Sequence, residues 1–190
     1  GAAFALATGP AFGGVDVIHG CEEFAFAGPS TRGQRTRIGN VPVVAPEPAA
    51  QALQRFAENW KLPVGNAFRF QDTFDNYLPQ YAGDIGIGIN PKLAQRIAAS
   101  DLIIAIGPRL GEMTTNGYTL IKAPVPEQKL VHFHSSAEEI GRVYQAHLSF
   151  NATMNAAALA LLQLKPPEPD QLVWRNWTDE IHQEYLANLI

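Results

Sequence analysis

Residues 82–118 decide the fold, and they read AGDIGIGINPKLAQRIAASDLIIAIGPRLGEMTTNGY. A glycine-rich turn comes first, because glycine tolerates the positive φ values that a tight turn requires. Asn90 and Pro91 then supply the N-cap and the first-turn proline of a helix. The helical pattern ends near residue 101, where the unbroken apolar run LIIAI begins. This order predicts a βα-type unit with a buried, central parallel strand.

The candidate binding site follows from this unit. Gly107 and Pro108 end the apolar strand. The residues after it should therefore lie at the carboxyl end of the sheet, where open α/β folds bind their ligands. Main-chain N–H groups at the glycine turn and the helix start can add hydrogen bonds to an anion. The predicted binding residues are Gly86, Gly88, Asn90, Arg109, Thr114 and Thr115.

The remaining sequence divides into three parts. Residues 1–48 are rich in glycine and proline without a sustained period, which predicts an irregular arm or the remnant of a preceding domain. Residues 49–164 alternate helical and strand patterns, which predicts an α/β, doubly wound, mostly parallel sheet of the Rossmann-like type. The expected elements are helices at 48–59, 90–100 and 153–164, a short helix from 137, and strands at 62–65, 102–106, 130–134 and 148–150.

Residues 165–190 are predicted to form a proline-rich linker and a docking helix. Apolar side chains recur there at helical spacing, and such a stripe is too large to leave exposed to water. The helix is therefore expected to pack on another surface and to lead to a domain outside this chain. The stripe consists of Trp174, Trp177, Ile181, Tyr185 and Leu189.

Composition excludes several classes of function. The chain has 190 residues, 46% of them hydrophobic and 17% charged, which is typical of a globular protein. A net charge of -4 without a basic cluster argues against nucleic acid as a partner. No apolar run approaches the roughly 20 residues that cross a bilayer. The single cysteine, Cys21, suits a reducing compartment, so a cytoplasmic location is expected.

Several motifs recur in a fixed order along residues 49–164. They are LPVG at 62–65, ASDLIIAIGPRLG at 99–111, TTNGY at 114–118, KLVHFH at 129–134 and AEEIGR at 137–142. In order and spacing this region resembles the central domain of thiamine diphosphate-dependent enzymes of the acetolactate synthase large-subunit type. The resemblance implies a six-stranded parallel sheet placed between two outer domains that bind the cofactor.

The resemblance also implies what the parent enzyme does. Such a transferase decarboxylates a 2-keto acid such as pyruvate and transfers the resulting carbanion to a second carbonyl, using thiamine diphosphate and Mg²⁺. Its metal-diphosphate motif begins Gly-Asp-Gly and closes with Asn-Asn, and neither string occurs in this sequence. We therefore expect no catalytic residue, metal ligand or cofactor in this chain alone. Its expected partners are the other domains of the parent and further copies in a homo-oligomer.

A nucleotide is the alternative ligand. Some members of this family bind FAD or ADP in the central domain, through the glycine turn, an arginine and two aspartates. Arg109 stands at the arginine position, but His134 and Ser136 stand at the aspartate positions and cannot accept ribose hydrogen bonds as two carboxylates do. This substitution weakens the expectation of FAD or ADP. A free-standing FAD-, ADP- or NAD-binding module and a purely structural or oligomerisation domain stay open as alternatives.

Other polar residues have simpler interpretations. His132 and His134 lie on one face of a strand, yet no third metal ligand is close in sequence, so we expect them to pack at the strand end. Glu112 follows Arg109 closely and is expected to form an exposed ion pair with it.

Overall fold

The computed structural model describes residues 3–7 and 49–189. These residues form an α/β domain with one sheet of six strands. The strands are β1 (Ala3–Ala7), β2 (Val64–Ala67), β3 (Tyr81–Ile85), β4 (Leu102–Ile106), β5 (Lys129–His134) and β6 (Leu148–Asn151). The helices are α1 (Ala49–Trp60), α2 (Pro91–Ala98), α3 (Met154–Leu162) and α4 (Arg175–Ala187), with 3-10 turns at Gln71–Thr73 and Pro169–Gln171.

The sheet has the strand order β3-β2-β1-β4-β5-β6. β2 pairs with β3, β4 with β5, and β5 with β6, all in parallel. β1 is antiparallel to both of its neighbours, β2 and β4. The prediction of a doubly wound, mostly parallel sheet is therefore confirmed.

β1 differs from the sequence-based expectation. Residues 1–48 were predicted to be an irregular arm, whereas the structure places Ala3–Ala7 in the middle of the sheet. The apolar run AAFALA at residues 2–7 is too short for periodicity to decide between a strand and a helix. The rest of the predicted arm, including Cys21, lies outside the described residues.

β4 is the buried strand that the sequence predicted. All five of its residues are buried, and its side chains alternate between the two faces of the sheet. Ile104 belongs to the apolar cluster that α1 and α3 cover, together with Phe56 and Leu161. Ile103 belongs to the cluster on the opposite face, which α2 and α4 cover. A strand covered on both faces needs a continuous apolar run, and LIIAI provides it.

α2 begins as its sequence predicts. Asn90 is the N-cap, and its side-chain oxygen accepts a hydrogen bond from the Lys92 backbone N–H at 2.9 Å. Pro91 occupies the first turn, where its missing N–H has no consequence. Leu93 and Ile97 are buried and fix the helix on the sheet.

Two elements differ in detail from the prediction. The strand expected at 62–65 begins two residues later, because the Leu62 N–H still bonds to the Ala57 carbonyl at 3.0 Å as part of the helix end. The short helix expected from residue 137 is a series of turns. Its backbone bonds span only three residues, as in Glu139 N–H to Ser136 O at 3.3 Å, and Gly141 has φ 73°.

The docking helix α4 packs on the domain itself. Trp174 is buried, and its indole N–H donates to the Trp60 carbonyl at 2.7 Å. The Thr178 hydroxyl donates to the Lys61 carbonyl at 2.7 Å. Ile181 is buried against the α2 face of the sheet. The apolar stripe predicted from the sequence is thus largely covered within this chain, although Leu189 at its end is exposed.

Candidate functional site

A small cleft lies at the carboxyl end of β4 and β5. The loop after β4 and the turns after β5 enclose about 130 Å³ between them. The polar side chains that line the cleft belong to Arg109, Tyr118, His132, Glu139, Arg142 and Tyr144. Its position is the one at which open α/β sheets bind ligands.

The cleft contains one carboxylate between two guanidinium groups. Arg109 Nε lies 3.2 Å from Glu139 Oε2, and Arg142 Nη1 donates to Glu139 Oε1 at 2.8 Å. The Glu139 side chain is 18% exposed, whereas those of Arg109 and Arg142 are 62% and 56% exposed. The arginines therefore present cationic donors to solvent at the mouth of the cleft, and the acid lies beneath them.

The floor of the cleft is electrically neutral. His132 is buried, and its Nε2–H donates to the Pro108 carbonyl at 2.9 Å. Burial lowers the pKa of His132, which favours its uncharged form. The Tyr144 hydroxyl donates to the Ile121 carbonyl at 3.3 Å, and burial raises its pKa. The charge of the cleft therefore comes from the arginines and Glu139.

The predicted glycines join two loops. A Cβ atom on Gly86 would lie 2.6 Å from the Met113 carbonyl oxygen, and the Ile87 N–H donates to that same oxygen at 3.0 Å. Gly86 therefore lets the loop after β3 touch the loop after β4. Gly88 is exposed with open space beside it, and Asn90 caps α2. In this structure the two glycines shape the loop backbone, and the Asn90 side chain caps the helix.

Thr115 supports the loop from within. Its side chain is fully buried, its hydroxyl donates to the Gly111 carbonyl at 2.9 Å, and the hydroxyl oxygen accepts from the Tyr118 N–H at 3.2 Å. The sequence predicted Thr115 as a ligand contact, but these bonds are internal to the turn. Thr114 is partly exposed.

The structure groups the charged residues differently from the sequence prediction. Arg109 was expected near Gly86–Asn90 and beside Glu112, but it pairs with Glu139 on the β5 side. Sequence reasoning missed Glu139 and Arg142 as site residues. The available signal was the charged motif AEEIGR, which follows directly after a strand predicted to be parallel to β4.

The described part of the chain offers no metal centre. The rings of His132 and His134 lie 5.9 Å apart, but His132 bonds to Pro108, and His134 Nδ1 accepts from the Ser136 N–H at 3.0 Å. Within residues 3–7 and 49–189 no group of three or more His, Cys, Asp or Glu residues could hold a metal ion.

None of the helices that the structure describes is long and apolar enough to cross a membrane.

The strand order and the edge cleft define a Rossmann-like α/β domain. Residues 43–162 match the family model described as "Thiamine pyrophosphate enzyme, central domain". This match covers more than half of the chain, and the chain belongs to that family. The resemblance inferred from the motifs is therefore confirmed.

Two curated relatives agree with the family. The 3D-(3,5/4)-trihydroxycyclohexane-1,2-dione hydrolase of Clostridium botulinum (strain Alaska E43 / Type E3) is 32% identical over 93 residues, covering 46% of this chain and 14% of the relative. The acetolactate synthase isozyme 2 large subunit of Escherichia coli (strain K12) is 23% identical over 137 residues, covering 72% of this chain and 24% of the relative. The matched regions thus span about a quarter or less of these relatives.

The residues that the structure describes do not fit thiamine diphosphate with its metal ion. The sequence lacks both Gly-Asp-Gly and Asn-Asn. A divalent cation that bridges a diphosphate needs oxygen ligands gathered at one place. The described residues provide no such group, so no step of thiamine chemistry is assigned to them.

Proposed function

We propose that this chain is the non-catalytic central domain of a thiamine diphosphate-dependent enzyme and supports the assembly of the domains that bind the cofactor. The observation that carries this proposal is the family match over residues 43–162, which spans α1 to α3 and the sheet between them. The missing metal-diphosphate motif supports the non-catalytic part.

The proposed parent reaction is acetolactate synthase-like. It decarboxylates a 2-keto acid and transfers the carbanion to a second carbonyl, and the similarity to an acetolactate synthase large subunit over 72% of this chain supports it. Thiamine diphosphate supplies the electron sink for such a reaction, and Mg²⁺ holds its diphosphate. The proposal includes a cytoplasmic location and a homo-oligomer.

The carboxyl edge is the surface we propose for assembly. Ile87 is 52% exposed and Met113 is 44% exposed, and the backbone bond between these two residues makes them neighbours. Exposed apolar side chains that adjoin one another favour contact with another protein surface. A neighbouring domain packed at this edge would also cover the cleft around Arg109.

The assembly proposal is tested with the gene and its flanking sequence. We expect a Gly-Asp-Gly to Asn-Asn motif outside this segment. The protein that contains both this chain and the region with that motif should release carbon dioxide from pyruvate, whereas residues 1–190 alone should not.

The proposed surface is tested by substitution. Ile87→Asp should weaken the association of this chain with the other domains of the parent enzyme in sizing chromatography. Tyr77→Asp is the matched control, because Tyr77 is 95% exposed in another loop. Decarboxylation by residues 1–190 alone, or equal association of both variants, would contradict the proposal.

The second candidate is an FAD-, ADP- or NAD-binding module. The two exposed arginines at the carboxyl edge favour it, because guanidinium groups bind phosphates with paired hydrogen bonds. The cleft of about 130 Å³ opposes it, because ligand pockets for molecules of that size measure roughly 300–1,000 Å³. A yellow protein with flavin absorbance would favour the module with FAD as its ligand.

A further inference from the structure

We propose that a second cavity, at the amino ends of β2 and β3, binds a small zwitterion with an apolar body, which is the chemistry of an apolar α-amino acid. This amino-edge cavity lies between the end of α1, the segment that leads into β3, and the residues that join α3 to α4. It measures about 560 Å³, which is within the roughly 300–1,000 Å³ that small-molecule sites enclose.

One wall of the amino-edge cavity contains a buried amide without a partner. Gln80 lines the cavity and is 7% exposed, and its Oε1 atom has no hydrogen-bond partner among the described residues. Buried polar atoms of native proteins are nearly always hydrogen-bonded, so this oxygen calls for a donor that the described residues do not provide. An ammonium group carries three N–H donors and can supply that hydrogen bond.

Two helix ends of opposite polarity meet at the cavity. α4 begins here, and its N-cap residue Trp174 makes no capping hydrogen bond through its side chain. The first N–H groups of such a helix attract a carboxylate, and Arg175 at the first position of α4 adds a guanidinium group beside them. α1 ends here, and the partial negative charge of a helix C-terminus favours an ammonium group. The cavity is thus polarised in the same way as a zwitterion.

The charged side chains around the cavity also balance. Two of each sign line it, namely Glu58, Lys61, Arg175 and Asp179. Glu58 accepts a hydrogen bond from Gln54 at 3.0 Å. The side chains of Lys61, Arg175 and Asp179 form no salt bridge or hydrogen bond within the described residues. A lining without net charge favours a ligand that carries one charge of each sign over a ligand with a net charge.

The rest of the lining is apolar and held in place. It consists of Pro79, Pro166, Pro167, Pro169 and Leu172. Two hydrogen bonds join the start of α4 to the end of α1: Trp174 Nε1–H to the Trp60 carbonyl and the Thr178 hydroxyl to the Lys61 carbonyl, both at 2.7 Å. A site whose walls are fixed in advance loses little free energy to ordering when a ligand binds. The apolar walls should select an apolar side chain.

The first experiment compares four ligands by titration calorimetry with the unaltered chain. L-leucine carries all three features, 3-methylbutylamine lacks the carboxylate, 4-methylpentanoate lacks the ammonium group, and glycine lacks the apolar side chain. We expect L-leucine to bind with a dissociation constant of about 1 mM or lower. The other three ligands should bind at least about tenfold more weakly, because each lacks one of the proposed contacts.

The second experiment places the site by substitution. Gln80→Met should weaken L-leucine binding about tenfold without lowering the melting temperature, because the amide oxygen that it removes has no partner in the described residues. Asp179→Asn should weaken binding by a similar factor. Asp72→Asn is the matched control, because it removes the same charge at an exposed position in the loop after β2, and it should bind as the unaltered chain does. Thermal melting shows that each variant is folded.

Three results would overturn the proposal. The first is no saturable heat with L-leucine up to about 20 mM, roughly 20 times the expected dissociation constant. The second is an affinity for 3-methylbutylamine or 4-methylpentanoate equal to that for L-leucine, which needs no variant to observe. The third is unchanged L-leucine binding by both Gln80→Met and Asp179→Asn. Thiamine diphosphate and pyruvate take no part in these titrations, so their failure would leave the proposed function standing.

Discussion

Two arginine–glutamate networks in this domain have opposite compositions. Between α2 and α4, one guanidinium lies between two carboxylates: Arg96 contacts Glu184 at 2.7 Å and Glu180 at 3.0 Å. In the cleft, one carboxylate lies between two guanidiniums, with Glu139 shared by Arg109 and Arg142. The first network joins two helices through Arg96 and Glu184, which are 88 residues apart in sequence. The second joins two loops at the edge of the sheet.

The helix network is built for stability. The Arg96 side chain is 22% exposed, donates two hydrogen bonds to Glu184, and lies 5.9 Å from the ring centre of Trp177. The hydrogen bond from Arg96 lowers the pKa of Glu184. Side chains therefore hold α4 to α2, together with the buried contacts of Ile181.

The cleft depends on its backbone instead. Gly86 contacts Met113 through the main chain, and buried Thr115 fixes the turn that follows Gly111. These contacts hold the loop after β4 without using the Arg109 side chain. The ion pairs of the cleft are mostly exposed and lie on a loop that its backbone fixes, so we expect them to contribute less to stability than the mostly covered ion pair between the helices.

The largest effect is expected from the backbone of the cleft. Gly86→Ala should lower the free energy of unfolding by about 3 kcal/mol, because the added Cβ meets the Met113 carbonyl and φ is 134°. Gly88→Ala is the control, with φ 83° but open space, and should cost about 1 kcal/mol. Urea denaturation measures both. Equal losses would mean that the contact between the two loops contributes nothing.

A smaller loss is expected from the helix network. Arg96→Ala should cost about 1–3 kcal/mol, because it leaves two carboxylates with fewer partners at a partly covered interface. Gln95→Ala, at an exposed and uncharged position of the same helix, is the control and should stay within about 0.5 kcal/mol. If both substitutions have the same effect in urea denaturation, the side chains do not hold α4.

The same network predicts a dependence on pH. Glu184 has a lowered pKa in the folded chain, so its stabilising contribution is present above its ordinary value of 4.5 and is lost as the pH falls through the folded-state pKa. Between pH 6 and pH 3 the unaltered chain should lose stability more steeply than Glu184→Gln. Parallel curves from acid denaturation at several pH values would contradict this assignment.

The smallest effect on stability is expected from the arginine of the cleft. Arg109→Ala should change the free energy of unfolding by no more than about 0.5 kcal/mol, since the side chain is 62% exposed and its ion pair is weak. Thermal melting and urea denaturation measure the change. A loss as large as that of Arg96→Ala would make both networks structural and would end the distinction drawn between them.

Much of the fold could be predicted because its signals are local. The run LIIAI predicts β4, and Asn90 with Pro91 predicts the start of α2, since burial on both faces and helix capping each depend on a few adjacent residues. The place of Ala3–Ala7 in the sheet could not be predicted. It depends on pairing with β2 and β4, which lie about 60 and 100 residues away in sequence, rather than on the pattern of those five residues.

The site was predicted only in part for the same reason. Arg109 follows a recognisable strand, so its place at the carboxyl edge is readable from the sequence. Its pairing with Glu139 depends on the parallel register of β4 and β5 and on turns where a short helix was expected. Whether the Thr115 hydroxyl faces a ligand or its own turn is decided by the loop conformation, which the sequence pattern does not specify.

We propose that the chain is a supporting domain whose own residues do not bind the cofactor of its family. Titration calorimetry of thiamine diphosphate into the purified chain with Mg²⁺ tests this most directly. We expect no saturable heat of binding, because the chain lacks the Gly-Asp-Gly and Asn-Asn strings. Saturable binding with a micromolar dissociation constant would contradict it and would make the chain a cofactor-binding domain.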